Sequence, residues 1–156
     1  MKTLIILSAY PASGKTTWAK KYQEEHEDVF IINSDEVRLE LTGGNYHDRS
    51  KQKEVWELFE KRIHEYALKA ENATVILDAL NDVNSVRLKY LENTPEFDKK
   101  ILVMFPSTLE RSRYFNGLRP DECRVPDNII VEMFKKFEQP NEEVLSYVDE
   151  LIEVKW

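Results

Sequence analysis

Apolar positions along this 156-residue chain cluster into short runs, and longer stretches of mixed polarity separate them. Near-continuous apolar runs are typical of parallel strands that are covered on both faces. Five such runs predict strands at residues 4–7, 29–32, 75–77, 101–105 and 151–154. The sequence therefore predicts a parallel five-stranded sheet.

The stretches between these runs have the periodicity of amphipathic helices. In one of them Trp56, Phe59 and Ile63 recur at spacings of three and four residues, which predicts a buried stripe. The predicted helices cover residues 17–25, 49–72, 83–93, 107–116 and 127–137. This alternation predicts a doubly wound α/β fold, with helices on both faces of the sheet, in a single domain over residues 1–156.

Composition narrows the class of protein. Hydrophobic residues make up 42% and charged residues 33% of the chain, as in soluble globular domains. No apolar run is long enough to span a membrane, and a signal peptide's basic region is missing, so we expect a cytoplasmic protein. The net charge of −7 argues against an extensive nucleic-acid footprint. The single cysteine, Cys123, excludes an internal disulfide.

A phosphate-binding loop connects the first predicted strand to the first predicted helix. Gly14, Lys15 and Thr16 match the pattern G-x-x-x-x-G-K-[ST], although Ala9 occupies the position of the first glycine. Backbone N–H groups and a helix N-terminus would surround a phosphate, Lys15 would reach the β- and γ-phosphates, and Thr16 would ligate Mg²⁺. The residues expected to bind ATP here are Pro11, Ala12, Ser13, Gly14, Lys15, Thr16 and Thr17.

Carboxylates follow two later strands. Asp35 comes just after the second strand, and it could accept a proton from an attacking hydroxyl while Arg38 holds an anionic group on the acceptor. Alternatively, Asp35 caps a helix and pairs with Arg38. Asp78 ends the third strand, and it could hold the water shell of Mg²⁺ or orient the acceptor; a solvated strand-end aspartate is the other interpretation.

Arginines are concentrated in the segment 111–125 of this otherwise acidic chain. Arginines on a mobile lid can close over a triphosphate and stabilise its charge in the transition state. The alternative is a solvated helix face balanced by acidic neighbours. We expect at least one lid arginine to act in this way, and spacing does not distinguish among them. The arginines are Arg111, Arg113, Arg119 and Arg124.

Together these segments resemble the polynucleotide 5′-hydroxyl kinase domain of the phage-type end-healing enzyme, within the wider family of small phosphate-loop kinases. The resemblance runs through residues 11–19, 32–38, 75–78 and 111–126. It implies that Lys15 and Thr16 bind phosphates and Mg²⁺, and that a lid arginine contacts ATP. It also implies that Asp35 is the general base and that Arg38 grips a substrate phosphate.

The predicted function is ATP- and Mg²⁺-dependent transfer of the γ-phosphate to an acceptor hydroxyl. The preferred acceptor is the 5′-hydroxyl of a polynucleotide or nucleotide. One alternative is a kinase for a small molecule such as a nucleoside, sugar or antibiotic, and another is a non-catalytic ATP-binding regulatory module. The candidate catalytic residues are Lys15, Asp35, Arg38 and Asp78. The candidate metal ligands are Thr16 and Asp78, and the lid residues expected to bind ATP are Arg111, Arg113 and Arg119.

Overall fold

A parallel five-stranded sheet forms the centre of the molecule, as the sequence predicts. The computed structural model describes residues 1–155. The strand order is β2-β3-β1-β4-β5, so β1 is the central strand. The strands are β1 (Thr3–Ala9), β2 (Val29–Asn33), β3 (Thr74–Asp78), β4 (Lys99–Phe105) and β5 (Glu150–Glu153).

Seven helices and one short 3₁₀ turn (Asp121–Cys123) connect and follow these strands within residues 1–155. None of the helices there is long and apolar enough to cross a membrane. The helices are α1 (Lys15–Glu25), α2 (Ser34–Thr42), α3 (Gln52–Ala67), α4 (Asn84–Glu92), α5 (Leu109–Gly117), α6 (Asp127–Lys136) and α7 (Glu142–Tyr147).

Two of these helices, α2 and α7, were not among the five predicted helical ranges, although the alternative role of Asp35 as a cap implied a helix at α2. The helix α2 begins where the Asn33 side chain accepts a hydrogen bond from the N–H of Glu36, and it ends at Gly43 in the left-handed conformation. Asn141 caps the short helix α7 in the same way. The helix predicted over residues 49–72 is shorter at both ends, because its apolar stripe is buried only within α3.

Side chains of the strands β1 to β4 alternate between two hydrophobic cores, one on each face of the sheet. On one face Leu4, Ile6 and Leu77 pack with Phe59 of α3. On the other face Ile5, Leu7, Ile76 and Val103 pack with Ala19 of α1. Helices therefore cover both faces, which confirms the predicted α/β architecture.

The carboxyl ends of β2, β3 and β1 lie side by side along one edge of the sheet. Asn33 at the end of β2 is in register with Asp78 at the end of β3. On the side away from β2, the strand β3 pairs with β1, so the loop after Ala9 opens beside Asp78. Ligands of doubly wound folds bind at this edge.

Candidate active site

The loop between β1 and α1 accommodates Ala9 without strain. Ala9 is the last residue of β1, only 1% exposed, and its N–H donates a 2.8 Å hydrogen bond to the carbonyl of Leu80. Positive φ angles fall instead at Ala12 (53°) and Gly14 (93°). An alanine in this region costs about 1 kcal/mol relative to an extended conformation. The unusual backbone of the loop is therefore located at Ala12.

Residues of the phosphate-binding loop contact the carboxylate at the end of β3. Asp78 is 1% exposed, and its Oδ2 accepts hydrogen bonds from Thr16 Oγ1 (3.0 Å) and Asn33 Nδ2 (2.8 Å). Lys15 Nζ lies 3.4 Å from Oδ1 of Asp78. Among the described atoms, Oδ1 accepts no hydrogen bond. A buried carboxylate oxygen beside a threonine hydroxyl is a donor set that fits Mg²⁺.

Asp35 lies in the first turn of α2, and both of its oxygens have partners. Arg38 Nη1 donates to Oδ1 at 2.7 Å, and the Tyr46 hydroxyl donates to Oδ2 at 2.9 Å. Arg38 is 4% exposed, and Gln52 accepts a second, longer hydrogen bond from it. The predicted pair of Asp35 and Arg38 is therefore present, whereas Asn33 supplies the cap. Burial, and secondarily Asp35, raise the pKa of Tyr46 to about 12.

A single cleft with a volume of about 920 Å³ joins the loop to these residues. Its wall includes Lys15, Asp35 and Arg38, so the structure brings these candidate residues together. Most of the apolar wall comes from α3, α4, α6 and the segment before α6. It includes Trp56, Val86, Tyr90, Val125, Ile129 and Met133. The cleft thus combines a charged end with an apolar wall, as ligand sites usually do.

The arginines of the lid segment have different environments. Arg119 lines the cleft, whereas neither Arg111 nor Arg113 is part of its wall. Arg113 forms two hydrogen bonds with Asp127, of 2.7 and 2.9 Å, and Arg111 lies over the Phe115 ring. Of the three lid arginines expected to bind ATP, the structure brings only Arg119 to the cleft.

Residues 2–145 match the family described as "Chromatin associated protein KTI12". The chain belongs to the KTI12 family. It is 26% identical over 152 residues to Protein kti12 of Schizosaccharomyces pombe, which covers 88% of this chain and 52% of that protein. This KTI12-family chain thus spans about half the length of the curated relative that it matches.

Solved structures share the fold of this KTI12-family chain. Chaetomium thermophilum Kti12, solved with ADP-AlF3, superposes with a TM-score of 0.73 at 21% identity, covering 98% of this chain and 89% of the other. A chain of the Pnkp1/Rnl/Hen1 RNA repair complex gives 0.71 at 19% identity, covering 86% and 43%. A fungal RNA kinase gives 0.65 at 18% identity, covering 99% and 75%. The P-loop kinase fold is confirmed, and the resemblance to polynucleotide kinases is supported at the level of fold.

The KTI12-family chain also contains a buried arginine that the sequence analysis did not single out. Arg87 of α4 is 0% exposed, and it donates hydrogen bonds to Ser8 Oγ, the Asn81 carbonyl and Asn84 Oδ1. Ser8 Oγ in turn donates to the Asn81 carbonyl at 2.8 Å. Burial lowers the pKa of Arg87. Arg87 therefore links the strand before the phosphate-binding loop to the segment after β3.

A periodicity in the sequence would have identified Arg87. Val83, Arg87, Tyr90 and Leu91 follow helical spacing, so an arginine occupies a core position in an otherwise apolar stripe. A fully buried arginine needs several acceptors. No periodic pattern predicted the contact of Tyr46 with Asp35, because Tyr46 lies in the irregular connection between α2 and α3.

Proposed function

We propose that this chain is a phosphotransferase that moves the γ-phosphate of ATP to an acceptor hydroxyl, with Asp35 as the general base. The observation that carries the proposal is that the Asp35 carboxylate faces the same cleft as Lys15 of the phosphate-binding loop. A nucleotide held by the loop and an acceptor in the cleft would therefore meet between these two residues.

The loop would bind the phosphates of ATP. Backbone N–H groups from Ala12 to Thr17 and the N-terminus of α1 provide a positive environment, and Lys15 adds a full charge. Binding of the β- and γ-phosphates would draw Lys15 away from Asp78. The ADP-AlF3 complex of Chaetomium thermophilum Kti12 supports nucleotide binding here.

Mg²⁺ would be held by Thr16 and Asp78, where it would neutralise charge on the phosphates. The oxygen Oδ1 of Asp78, which accepts no hydrogen bond from the described residues, supports this assignment. Asn33 keeps the carboxylate oriented through its 2.8 Å hydrogen bond to Oδ2. On this proposal Asp78 acts in metal binding and Asp35 in proton transfer.

The chemical step has a simple proton balance. The acceptor oxygen forms a bond to the γ-phosphorus, the bond from that phosphorus to the bridging oxygen breaks, and ADP leaves. The acceptor proton passes to Asp35, whose oxygens retain lone pairs beyond those used by Arg38 and Tyr46. Arg38 would hold a phosphate of the acceptor in addition to orienting Asp35.

The preferred acceptor is the 5′-hydroxyl end of a nucleotide or oligonucleotide. The RNA repair and RNA kinase structures that share this fold support a nucleic-acid acceptor. The net charge of −7 limits contacts to the terminal nucleotides. A second candidate is an ATP-binding regulatory module, which is favoured by one observation: both oxygens of Asp35 already have partners.

Transfer of labelled γ-phosphate tests the proposal. Wild type would be incubated with Mg²⁺ and labelled ATP in the presence of a 5′-hydroxyl oligonucleotide, a nucleoside 3′-monophosphate or a pool of small hydroxyl compounds. We expect label on the first two acceptors. Label confined to the pool would identify a small-molecule kinase, and ATP binding with no labelled acceptor would identify the regulatory module.

A matched pair of variants distinguishes the loss of the general base from the loss of any negative charge in this turn. Asp35→Asn is expected to reduce transfer on the order of 10²-fold or more while ATP affinity is retained. Glu36→Gln removes a carboxylate from the same turn of α2, where Glu36 is exposed, and should leave transfer unchanged. Equal effects of the two variants would contradict the role of Asp35.

A further inference from the structure

Three arginines and the Asp35 carboxylate line the same cleft. The arginines are Arg38, Arg49 and Arg119. Tyr46, which is hydrogen-bonded to Asp35, lines the same wall. The local charge is therefore positive, although the whole chain carries a net charge of −7.

Within residues 1–155, no ion pair involves the Arg49 guanidinium. Among these residues it donates one long hydrogen bond, of 3.4 Å, to the carbonyl of Tyr46. Partial burial, together with repulsion from Arg38, lowers the pKa of Arg49 by more than the attraction of Asp35 raises it. The Asp35 carboxylate already accepts a hydrogen bond from Arg38 and forms its ion pair with that arginine. An anion between Arg38 and Arg49 would relieve their repulsion.

Arg119 differs from the neighbouring arginines of the lid segment. Arg113 is paired with Asp127, and Arg124 is paired with Asp121 and with backbone carbonyls. By contrast, no ion pair within residues 1–155 involves the half-buried Arg119. Its charge reaches the Tyr46 hydroxyl, where it opposes the upward shift of the pKa of Tyr46.

The two arginines belong to segments that follow two different strands of the sheet. Arg49 lies in the connection after α2, which follows β2, and Arg119 lies after α5, which follows β4. Because β2 and β4 flank β3 and β1, an anion bound by both arginines would lie near the carboxyl ends of β3 and β1. Binding of such an anion would hold the lid segment against the connection between α2 and α3.

We propose that Arg49 and Arg119 join Arg38 in an anion subsite beside Asp35, and that this subsite binds a phosphate of the acceptor. Arg119 then contacts a phosphate of the acceptor and not a phosphate of ATP. That the bound phosphate belongs to an acceptor rests on the function proposed above, whereas the binding of an anion at this subsite does not. The ligand is an alcohol that carries a phosphate group, and its less polar part would contact the wall formed by Val86, Tyr90 and Met133.

Equilibrium binding tests the subsite without any turnover. Adenosine 3′-monophosphate and adenosine would each be titrated by calorimetry into the protein saturated with a non-hydrolysable ATP analogue. We expect the monophosphate to bind about 10-fold or more tightly than adenosine, because charge-assisted hydrogen bonds to phosphate are strong. Glucose 6-phosphate serves as a third probe, and equal affinity for it would support the subsite while indicating a sugar phosphate.

Variants assign the subsite to its residues. Arg49→Gln and Arg119→Gln should each remove about 10-fold of the affinity for the monophosphate and leave the affinity for the ATP analogue unchanged. Arg124→Gln, in the same segment but paired outside the cleft, should change neither.

Two results would overturn the proposal. One is equal affinity for adenosine and its 3′-monophosphate, and the other is a loss of ATP-analogue affinity in Arg119→Gln with unchanged monophosphate affinity. Either result leaves the phosphotransferase proposal intact if labelled phosphate is still transferred. Conversely, arginine-dependent binding of the monophosphate without transfer would support the subsite and contradict the phosphotransferase.

Discussion

The Tyr46 hydroxyl donates a 2.9 Å hydrogen bond to Oδ2 of Asp35. Burial and the adjacent carboxylate raise the pKa of Tyr46 to about 12, so the phenol stays protonated and remains a donor at neutral pH. With Arg38 on the other oxygen, Tyr46 fixes the plane of the carboxylate. Tyr46 is thus a positioning residue for Asp35.

Tyr46→Phe keeps the ring and removes the donor. We expect the rate of phosphate transfer to fall about 10-fold, because a misoriented base forms fewer productive complexes. The KM for ATP should be unchanged, since Tyr46 does not belong to the phosphate-binding loop. Steady-state kinetics would measure both constants, and a changed KM for ATP with an unchanged rate would contradict the positioning role.

Tyr46 also predicts how stability depends on pH. The tyrosine of the unfolded chain has its ordinary pKa of about 10, whereas the pKa of the folded one is about 12. Above about pH 10 the unfolded state therefore loses its proton first, so this contribution is fully present below pH 10 and declines toward pH 12. After allowance for solvent screening, wild type should lose about 1 kcal/mol more than Tyr46→Phe between about pH 9 and about pH 11.5. Urea denaturation at both pH values would measure this difference.

Lys15→Ala tests the phosphate-binding loop. Transfer should fall on the order of 10²-fold, because a full charge on the phosphates is lost. Lys21→Ala on the outer part of α1 is the control, since the Lys21 side chain is 74% exposed and only weakly paired with Glu25. Circular dichroism would establish that both variants are folded. Equal rates for the two variants would exclude a role for Lys15 in transfer.

The same substitution at two positions of the phosphate-binding loop should have opposite effects. Ala12→Gly removes the strain of a positive φ angle and should raise the free energy of unfolding by up to about 1 kcal/mol. Ala9→Gly lies in a buried strand and should lower it by about 1 kcal/mol or more. Urea denaturation of both variants would test this contrast, and a shift in the same direction would contradict it.

Arg87→Met should destabilise the fold by about 2–4 kcal/mol, because Ser8 Oγ would lose its buried donor and the Asn81 carbonyl would lose one of its two donors. Lys89→Met is the control on the same helix, where Lys89 forms a surface pair with Glu60, and should cost less than about 1 kcal/mol. Chemical denaturation would compare them. A variant at position 87 as stable as wild type would show that its hydrogen bonds contribute little.

Local patterns predicted the parts of the site that lie next to one another in the chain. The phosphate-binding loop could be recognised because Gly14, Lys15 and Thr16 follow a strand and open a helix. Asp35 and Arg38 could be paired because residues three apart meet on a helix.

Contacts between residues that are far apart in the sequence could not be predicted from local patterns. The hydrogen bond from Thr16 to Asp78 joins residues 62 positions apart, and it depends on the register of β1 and β3. The contact of Tyr46 with Asp35 depends on an irregular connection whose path no periodicity describes. The different environments of Arg113 and Arg119 depend on which acidic side chains lie nearby, which spacing alone does not determine.

The central position of β1 has a consequence for synthesis of the protein. Thr3 pairs with Thr74 of β3 and with Lys99 of β4, so β1 is synthesised well before either partner strand and nearly a hundred residues before the second. At about 5–20 residues per second, the wait for β4 is roughly 5–20 s. Until β3 has been made, Leu4, Ile5, Ile6 and Leu7 form an apolar segment without a partner strand. Among the described strands, the one that carries the phosphate-binding loop therefore waits longest for all of its neighbours and has the most to gain from protection by chaperones.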